Sequence, residues 1–297
     1  MDKLAEFTEN RPRLFGLAYR LLGEAAEAED VLQDAYLRWE ASGPVEVPAA
    51  WLTKVVTNLC LSRLNSARAR REKYVGPWLP EPVFTDDGRL GPLETVEQRE
   101  SLSLGVLVLL ERLTPAERAA FVLREAFGYR HGDVADVLDI DEAHARQLYR
   151  RAREHVGEHR RRFAERPGQR EEIVRRFVAA AGDGDVAGLE RLLAEDVIAW
   201  SDGGGKTSAA RRPVVGPAAV ARLYCGLANH PRAVDIEVSI QAVNGEPAIV
   251  VHQAGELYLI ISLDVAGDRI VGVRGVLNPD KLAYASAQET RADPRQV

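Results

Sequence analysis

The sequence predicts a multidomain chain: two all-α helical domains, the second with a helix-turn-helix, followed by an α+β domain. Three observations predict it. Apolar residues recur at helical spacing through most of residues 4–64 and 94–164. A stretch dense in proline and glycine, residues 76–92, separates these two blocks. After Gly168, helical patterns give way to Val- and Ile-rich runs punctuated by Asn-Gly and Gly-Asp. At 297 residues the chain has room for two or three domains, each with its own core. Its 46% hydrophobic and 28% charged content is that of an ordinary globular protein rather than a disordered one.

Residues 4–38 carry Leu14, Leu17, Leu21, Val31 and Leu32 at helical positions, with a break at Gly23 and an acidic opening from Glu24 to Asp30. Gly43, Pro44 and Pro48 mark a loop over 41–50. A helix then starts at Ala49 or Ala50, with Trp51, Leu52, Val55, Val56 and Leu59 inward and Lys54, Asn58 and Arg63 on polar positions. The segment GPWLPEPVFTDDGRLGP is a linker, but Trp78 and Leu79 beside Pro80 make it too apolar for a plain spacer. It is expected to dock. From about Glu94 a second helical block runs to Ala164, with Thr114-Pro115 as a capped helix start. Helices at roughly 169–181, 185–194 and 216–228 precede strands at 233–243, 247–253, 255–264 and 268–277, a meander that argues for a separate α+β domain. The boundaries follow as 1–74, 75–98, 99–165 and 166–297.

Residues 129–156 read as two short helices joined by a tight turn. In the second, Ala145, Leu148, Ala152 and Val156 form the buried stripe, which leaves Arg146, Gln147, Arg150 and Arg151 outward. Arg and Gln at the exposed start of such a helix reach base edges and phosphates in a major groove. A solvated basic helix in a bundle has the same pattern.

A net charge of −6 looks unsuited to nucleic acid, but the distribution matters more than the sum. Arg63 to Lys73 holds five bases and one acid, and Arg146 to Arg162 seven bases and two acids. Glu24 to Asp34 holds five acids and no base. Cys60 and Cys225 lie in unrelated segments and suit neither a disulfide framework nor a zinc site, so both are expected as buried thiols with no metal or other cofactor. No apolar run reaches the roughly 18 residues of a membrane span, and no signal-peptide core is visible, so a cytoplasmic protein without a membrane partner is expected.

The order of AEAEDVLQDAYLRW (26–39), PAAWLTKVVTNLCLSRL (48–64), LTPAERAAFVLREAFGY (113–129) and DVADVLDIDEAHARQLYRRARE (133–154) resembles the extracytoplasmic-function sigma factors, bacterial initiation factors of RNA polymerase. The resemblance covers about residues 1–165. It implies that Asp30, Gln33 and Asp34 meet core RNA polymerase. It also implies that Lys54, Asn58 and Arg63, with loop 41–50, hold the opened −10 element of promoter DNA. Arg146, Gln147, Arg150 and Arg151 align with readers of the −35 element. Trp39 and Trp51 offer stacking surfaces, although core packing is the stronger reading. Asp139 stands where the family's turn commonly carries Gly, and Asp tolerates the left-handed conformation better than most residues.

The last 130 residues resemble a SnoaL-like cone, helices packed on a curved antiparallel sheet around a cavity. WLPEP in the linker (Trp78, Leu79, Pro80, Glu81, Pro82), DGGGK after a strand (Asp202, Gly203, Gly204, Gly205, Lys206) and NPDKL after the last strand (Asn278, Pro279, Asp280, Lys281, Leu282) sharpen the match. Together they resemble the sigma-factor subgroup with a fused SnoaL-like extension, in which the extension is taken to regulate the chain from within. The chain is then a promoter-specificity subunit rather than an enzyme. Two alternatives concern the cone itself: a SnoaL-like enzyme using Asp202, His230 or His252 as acid and base, or a sensor with a small-molecule ligand in its cavity.

Overall fold

A computed structural model describes residues 2–71, 73–85, 101–160, 168–231 and 233–292. The helix start near Glu94, the distal part of the linker, and the basic end of the second block at Arg161 and Arg162 lie outside the described residues. The chain divides into two compact units. One contains Met1–Lys73 with Thr85–Glu158, and the other contains Tyr74–Phe84 with His159–Val297.

In the first unit, α1 (Lys3–Leu22), α2 (Ala25–Ala41) and α3 (Pro48–Arg71) pack together. Gly23 ends α1 at φ 71°, its N–H returning to Tyr19 O, so the expected break is a left-handed glycine cap. Leu14, Leu17, Leu21, Val31, Leu32, Leu52, Val56 and Leu59 are buried, as their spacing requires. The second helical segment has α4 (Leu104–Leu110), α5 (Pro115–Glu125), α6 (His131–Leu138) and α7 (Glu142–Arg160). Thr114 and Glu117 form a reciprocal capping box at the start of α5, with Pro115 in its first turn. The stripe of Ala145, Leu148, Ala152 and Val156 is buried. Trp39 is buried too, its ring 5.5 Å from that of Trp51, so these aromatics serve packing.

In the second unit, α8 (Gln169–Gly182), α9 (Val186–Leu192) and α10 (Pro217–Ala228) cover one face of a six-stranded sheet. Its strands are β1 (Leu193–Asp202), β2 (Val214–Val215), β3 (Ile236–Val243), β4 (Glu246–Gln253), β5 (Glu256–Ala266) and β6 (Arg269–Val276), in the order β2-β1-β6-β5-β4-β3. A last helix, α11 (Pro279–Ala292), follows β6. The four-strand meander has the predicted hairpins, and Asn244 and Gly245 take the positive φ values of 55° and 77° that their turn needs.

The expected antiparallel pairing holds from β3 to β6 and between β1 and β2, with one pair that differs. β1 runs parallel to β6, so the sheet is mixed. Tight turns force neighbours in the meander to alternate direction. Between β1 and β6, by contrast, the chain passes through α10 and four strands, long enough for parallel pairing. The helix expected over 185–194 also stops early, because Leu193 already pairs with Ile270 in the sheet.

Candidate functional site

On α2, Asp30, Gln33, Asp34 and Leu37 fall at i, i+3, i+4 and i+7, which places them on one side of the helix. Asp30 and Gln33 are exposed, Asp34 is half-exposed, and Leu37 stands 66% exposed beside them. Leu37 thus shares that side of the helix with the acids and is one of the exposed large apolar side chains. The sequence reading missed Leu37 because a single Leu on a helix carries no signal until its burial is known. Arg63 of α3 reaches back to this helix, at 2.8 Å from both Glu27 and Asp34 and 3.7 Å from Asp30. Its guanidinium is therefore engaged by the acidic helix.

Lys54 and Asn58 lie one turn apart on α3. Asn58 is exposed. Lys54 donates to Asp136 O at 2.8 Å and to the Asp139 carboxylate at 3.2 Å. Both acceptors lie at the C-terminal end of α6, where free carbonyls attract a cation. Asp139 is the cap of that helix, at φ 59° and ψ 44°. The turn that departs from Gly thus keeps the left-handed geometry and adds a carboxylate that Gly would lack. Tyr129 extends the contact, its hydroxyl donating to Thr53 Oγ1 at 3.1 Å.

The basic face of α7 is open. Arg146, Gln147, Arg150 and Arg151 are all exposed. Arg146 pairs with Glu142, and Arg150 lies 3.8 Å from Glu154, both one turn away along the same helix. Such exposed i,i+4 pairs are worth only a few tenths of a kcal/mol, roughly 0.3–0.5, and yield readily to phosphate.

A buried polar seam joins the two helical segments. Arg20 donates to Ser101 Oγ at 2.8 Å, and Arg118 donates to Arg20 O at 3.1 Å. Arg71 donates to Leu22 O at 2.7 Å and to Glu24 at 2.9 Å, and it shares Glu111 with Arg118. Burial lowers both the Arg20 and Arg118 guanidinium pKa values to about 9, so both remain cationic at neutral pH.

In the second unit, WLPEP, DGGGK and NPDKL converge on one carboxylate. Asp202, at the end of β1, has no exposed surface. One oxygen accepts from Tyr74 Oη at 2.5 Å and from Gly204 N–H at 3.1 Å. The other accepts from Leu79 N–H at 2.8 Å and Lys281 Nζ at 2.7 Å. Lys281 also donates to Leu79 O, and its ammonium sits 4.2 Å from the Trp78 ring centroid and 4.7 Å from that of Tyr74. Asn278 donates to Tyr74 Oη at 2.8 Å. The buried charge is thus fully hydrogen-bonded, the condition for its being tolerated.

The glycines are shaped by this clasp. A Cβ on Gly204, at φ 58°, would stand 2.3 Å from Asn278 Nδ2, and one on Gly203 would stand 2.8 Å from Thr207 O. Lys206 and Asp280 add an exposed pair at 2.6 Å. Farther along, Val83 N–H donates to Asn244 Oδ1, Asn244 N–H donates to Val83 O, and Phe84 exchanges two hydrogen bonds with Gln288. Leu79, Pro80, Glu81, Pro82 and Leu282 are buried, and Pro279 is exposed at the first position of α11. Tyr74, Asn244 and Gln288 were not legible as clasp residues. Only Asn244 carried a signal, as a turn former.

The acid–base candidates do not assemble. Asp202 is consumed by the clasp, His252 pairs with Glu289 at 3.0 Å, and His230 is exposed. Cys60 and Cys225 are buried free thiols, as expected. Among the described residues there is no cluster of His, Cys, Asp or Glu able to hold a metal ion, and no helix long and apolar enough to cross a membrane.

Three family models match: Sigma-70 region 2 over residues 7–70, Sigma-70 region 4 over 103–156, and the SnoaL-like domain over 174–272. The chain is 37% identical to the ECF RNA polymerase sigma factor SigJ of Mycobacterium tuberculosis, covering 98% of this chain and 97% of that one. It is 29% identical to the probable ECF RNA polymerase sigma factor SigI of the same species, covering 94% of each. The crystal structure of M. tuberculosis SigJ superposes with a TM-score of 0.76 at 35% identity, covering 95% of this chain and 98% of that one.

Proposed function

The chain belongs to the extracytoplasmic-function sigma factors, which direct RNA polymerase to specific promoters and are not enzymes, and on that premise we propose that its C-terminal unit regulates promoter engagement by holding residues 74–84. That segment joins the two helical blocks. Fixing it sets how much chain is left between the −10 and −35 readers. One observation carries the reading: the buried Asp202 carboxylate takes hydrogen bonds from both ends of the Tyr74–Leu79 segment and from Lys281.

The remaining roles are those the family resemblance implies, with exposure and charge in support. Residues 1–74 engage core polymerase and the −10 element, 99–165 the −35 element, and 166–297 regulate. Asp30, Gln33 and Asp34, with Leu37 beside them, form the polymerase face. Arg63 positions that face by neutralising its acids instead of touching DNA. Lys54 and Asn58 serve the −10 element once Lys54 leaves α6. Arg146, Gln147, Arg150 and Arg151 serve the −35 element, with Arg-to-guanine and Gln-to-adenine contacts suited to the groove code. Binding to DNA alone is weak and falls steeply with salt. The protein acts where polymerase acts, in the cytoplasm.

The test is transcription from a candidate promoter with core polymerase and either the full chain or its Asp202→Asn variant, checked for intact secondary structure. The reading expects a specific start whose yield changes several-fold when the clasp is broken. Equal yields from two folded proteins would sink it.

A further inference from the structure

The C-terminal unit encloses a cavity of about 630 Å³ between α8, α10 and the inner face of the sheet. That volume lies within the range of small-molecule sites, roughly 300–1,000 Å³. Phe177, Ile249, Val251 and Ile261 give it a buried apolar floor. Leu227, Val238 and Tyr258 rim its mouth at 48%, 49% and 39% exposure. Among the described residues that line it there is no Asp, Glu, Lys or Arg. A charged ligand would therefore be desolvated without a counterion, at a cost that selects against it. Hydrogen-bonding groups are few: Ser201, Ser208, Tyr224, Gln253, His230 and, at the mouth, the Tyr258 hydroxyl. With Asp202 facing the linker, no carboxylate lines the cavity among the described residues.

The wall of this cavity is also the frame of the clasp. Successive side chains of an extended strand point to opposite faces. Ser201 lines the cavity while Asp202 meets the linker, and at the end of β6 Leu277 lines the cavity while Asn278 meets Tyr74. The two positions are tied by hydrogen bonds from Leu277 N–H and Asn278 N–H to Asp202 O, both 2.8 Å. Residues 208–210 continue from the glycine turn directly into the cavity wall.

We propose that the cavity binds a neutral, mostly apolar small molecule with one or two hydrogen-bonding groups, and that occupancy is transmitted through Ser201 and Leu277 to the linker held at Asp202. The binding stands by itself; its consequence for transcription rests on the regulatory reading above. The test uses the full chain and N-phenyl-1-naphthylamine, a neutral dye that brightens in apolar surroundings. Saturable binding is expected, weakened by about tenfold, or about 1.4 kcal/mol, in Ala181→Phe, which fills the cavity. Ala228→Phe at the mouth serves the same end should Ala181→Phe fail to fold.

In 5-fluorotryptophan-labelled protein, the Trp78 resonance, assigned by its loss in Trp78→Phe, is expected to move on saturation with the dye. Unsaturable binding, or equal binding by the variants, would overturn the site. Saturable binding with Trp78 unmoved would overturn the transmission. Sedimentation as a dimer that excludes the dye would overturn the proposal in favour of a second copy seated on the rim. Dye binding requires neither polymerase nor promoter. Its failure is therefore distinguishable from failure of the Asp202→Asn transcription test.

Discussion

Lys281 and Lys54 do the same thing in opposite surroundings. Each bridges a carboxylate and a backbone carbonyl: Asp202 and Leu79 O for Lys281, Asp139 and Asp136 O for Lys54. The Lys281–Asp202 side chains are 6% and 0% exposed, whereas those of Lys54 and Asp139 are 41% and 89% exposed. Breaking one partner of a buried pair costs about 3–5 kcal/mol, because the other charge is stranded in a medium that solvates it poorly. An exposed pair is worth about 0–1 kcal/mol and is screened by salt. The linker is therefore held firmly, while the contact that covers Lys54 gives way easily to a competing phosphate. The seam through Arg20, Arg71 and Arg118 lies between these extremes. It is buried, and its guanidiniums divide their hydrogen bonds between neutral carbonyl and hydroxyl partners and the carboxylates of Glu24 and Glu111.

The largest effect expected from this contrast is at Lys281. Lys281→Met strands the Asp202 carboxylate and should lower the stability of the C-terminal unit by about 3–5 kcal/mol in urea unfolding, with much of the loss recovered in the Lys281→Met, Asp202→Asn double variant. A single-variant loss under about 1 kcal/mol would break the comparison.

On the open face of α7, Arg150→Ala should leave unfolding unchanged but weaken binding to a −35 duplex by about 1–3 kcal/mol. Polymerase binding should hold. Equal loss of both would count against the groove assignment. Asp139→Gly keeps the left-handed cap and removes one Lys54 partner, so stability should move by no more than about 1 kcal/mol, while binding of a single-stranded −10 oligonucleotide rises modestly.

The smallest effect concerns pH. Burial first, and then the hydrogen bond to Asp202, raise the Tyr74 phenol above its ordinary value of 10.0. A folded-state pKa raised in this way favours the protonated fold. Its contribution is complete below pH 10 and is lost as the pH rises through the higher folded value. Wild-type linker docking, followed by Trp78 fluorescence, should weaken above pH 10, and Tyr74→Phe should abolish that dependence.

Periodic features were legible in the sequence. The stripe from Ala145 to Val156, the glycine break at 23, the Thr114-Pro115 start and the hairpin at Asn244-Gly245 each arise from interactions within a few residues. The three motifs around Asp202 could be named, but not the bonds among them. Tyr74 and Asn278, or Phe84 and Gln288, are 204 residues apart, and no local pattern announces such partners. Arg63 shows the same limit in reverse. Its place on a basic helix suggested DNA, while its reach to Glu27 and Asp34 depended on how α2 and α3 pack.

By itself, the sequence determined the helices and their apolar faces, the meander and the family to which the chain belongs, because these depend on residue type and spacing. The tertiary structure alone decided that β1 joins β6 in parallel, that Lys54 meets the end of α6, and that Asp202 faces the linker instead of the cavity. Each of these depends on long-range contacts and on which side chains lose water, and a linear pattern encodes neither.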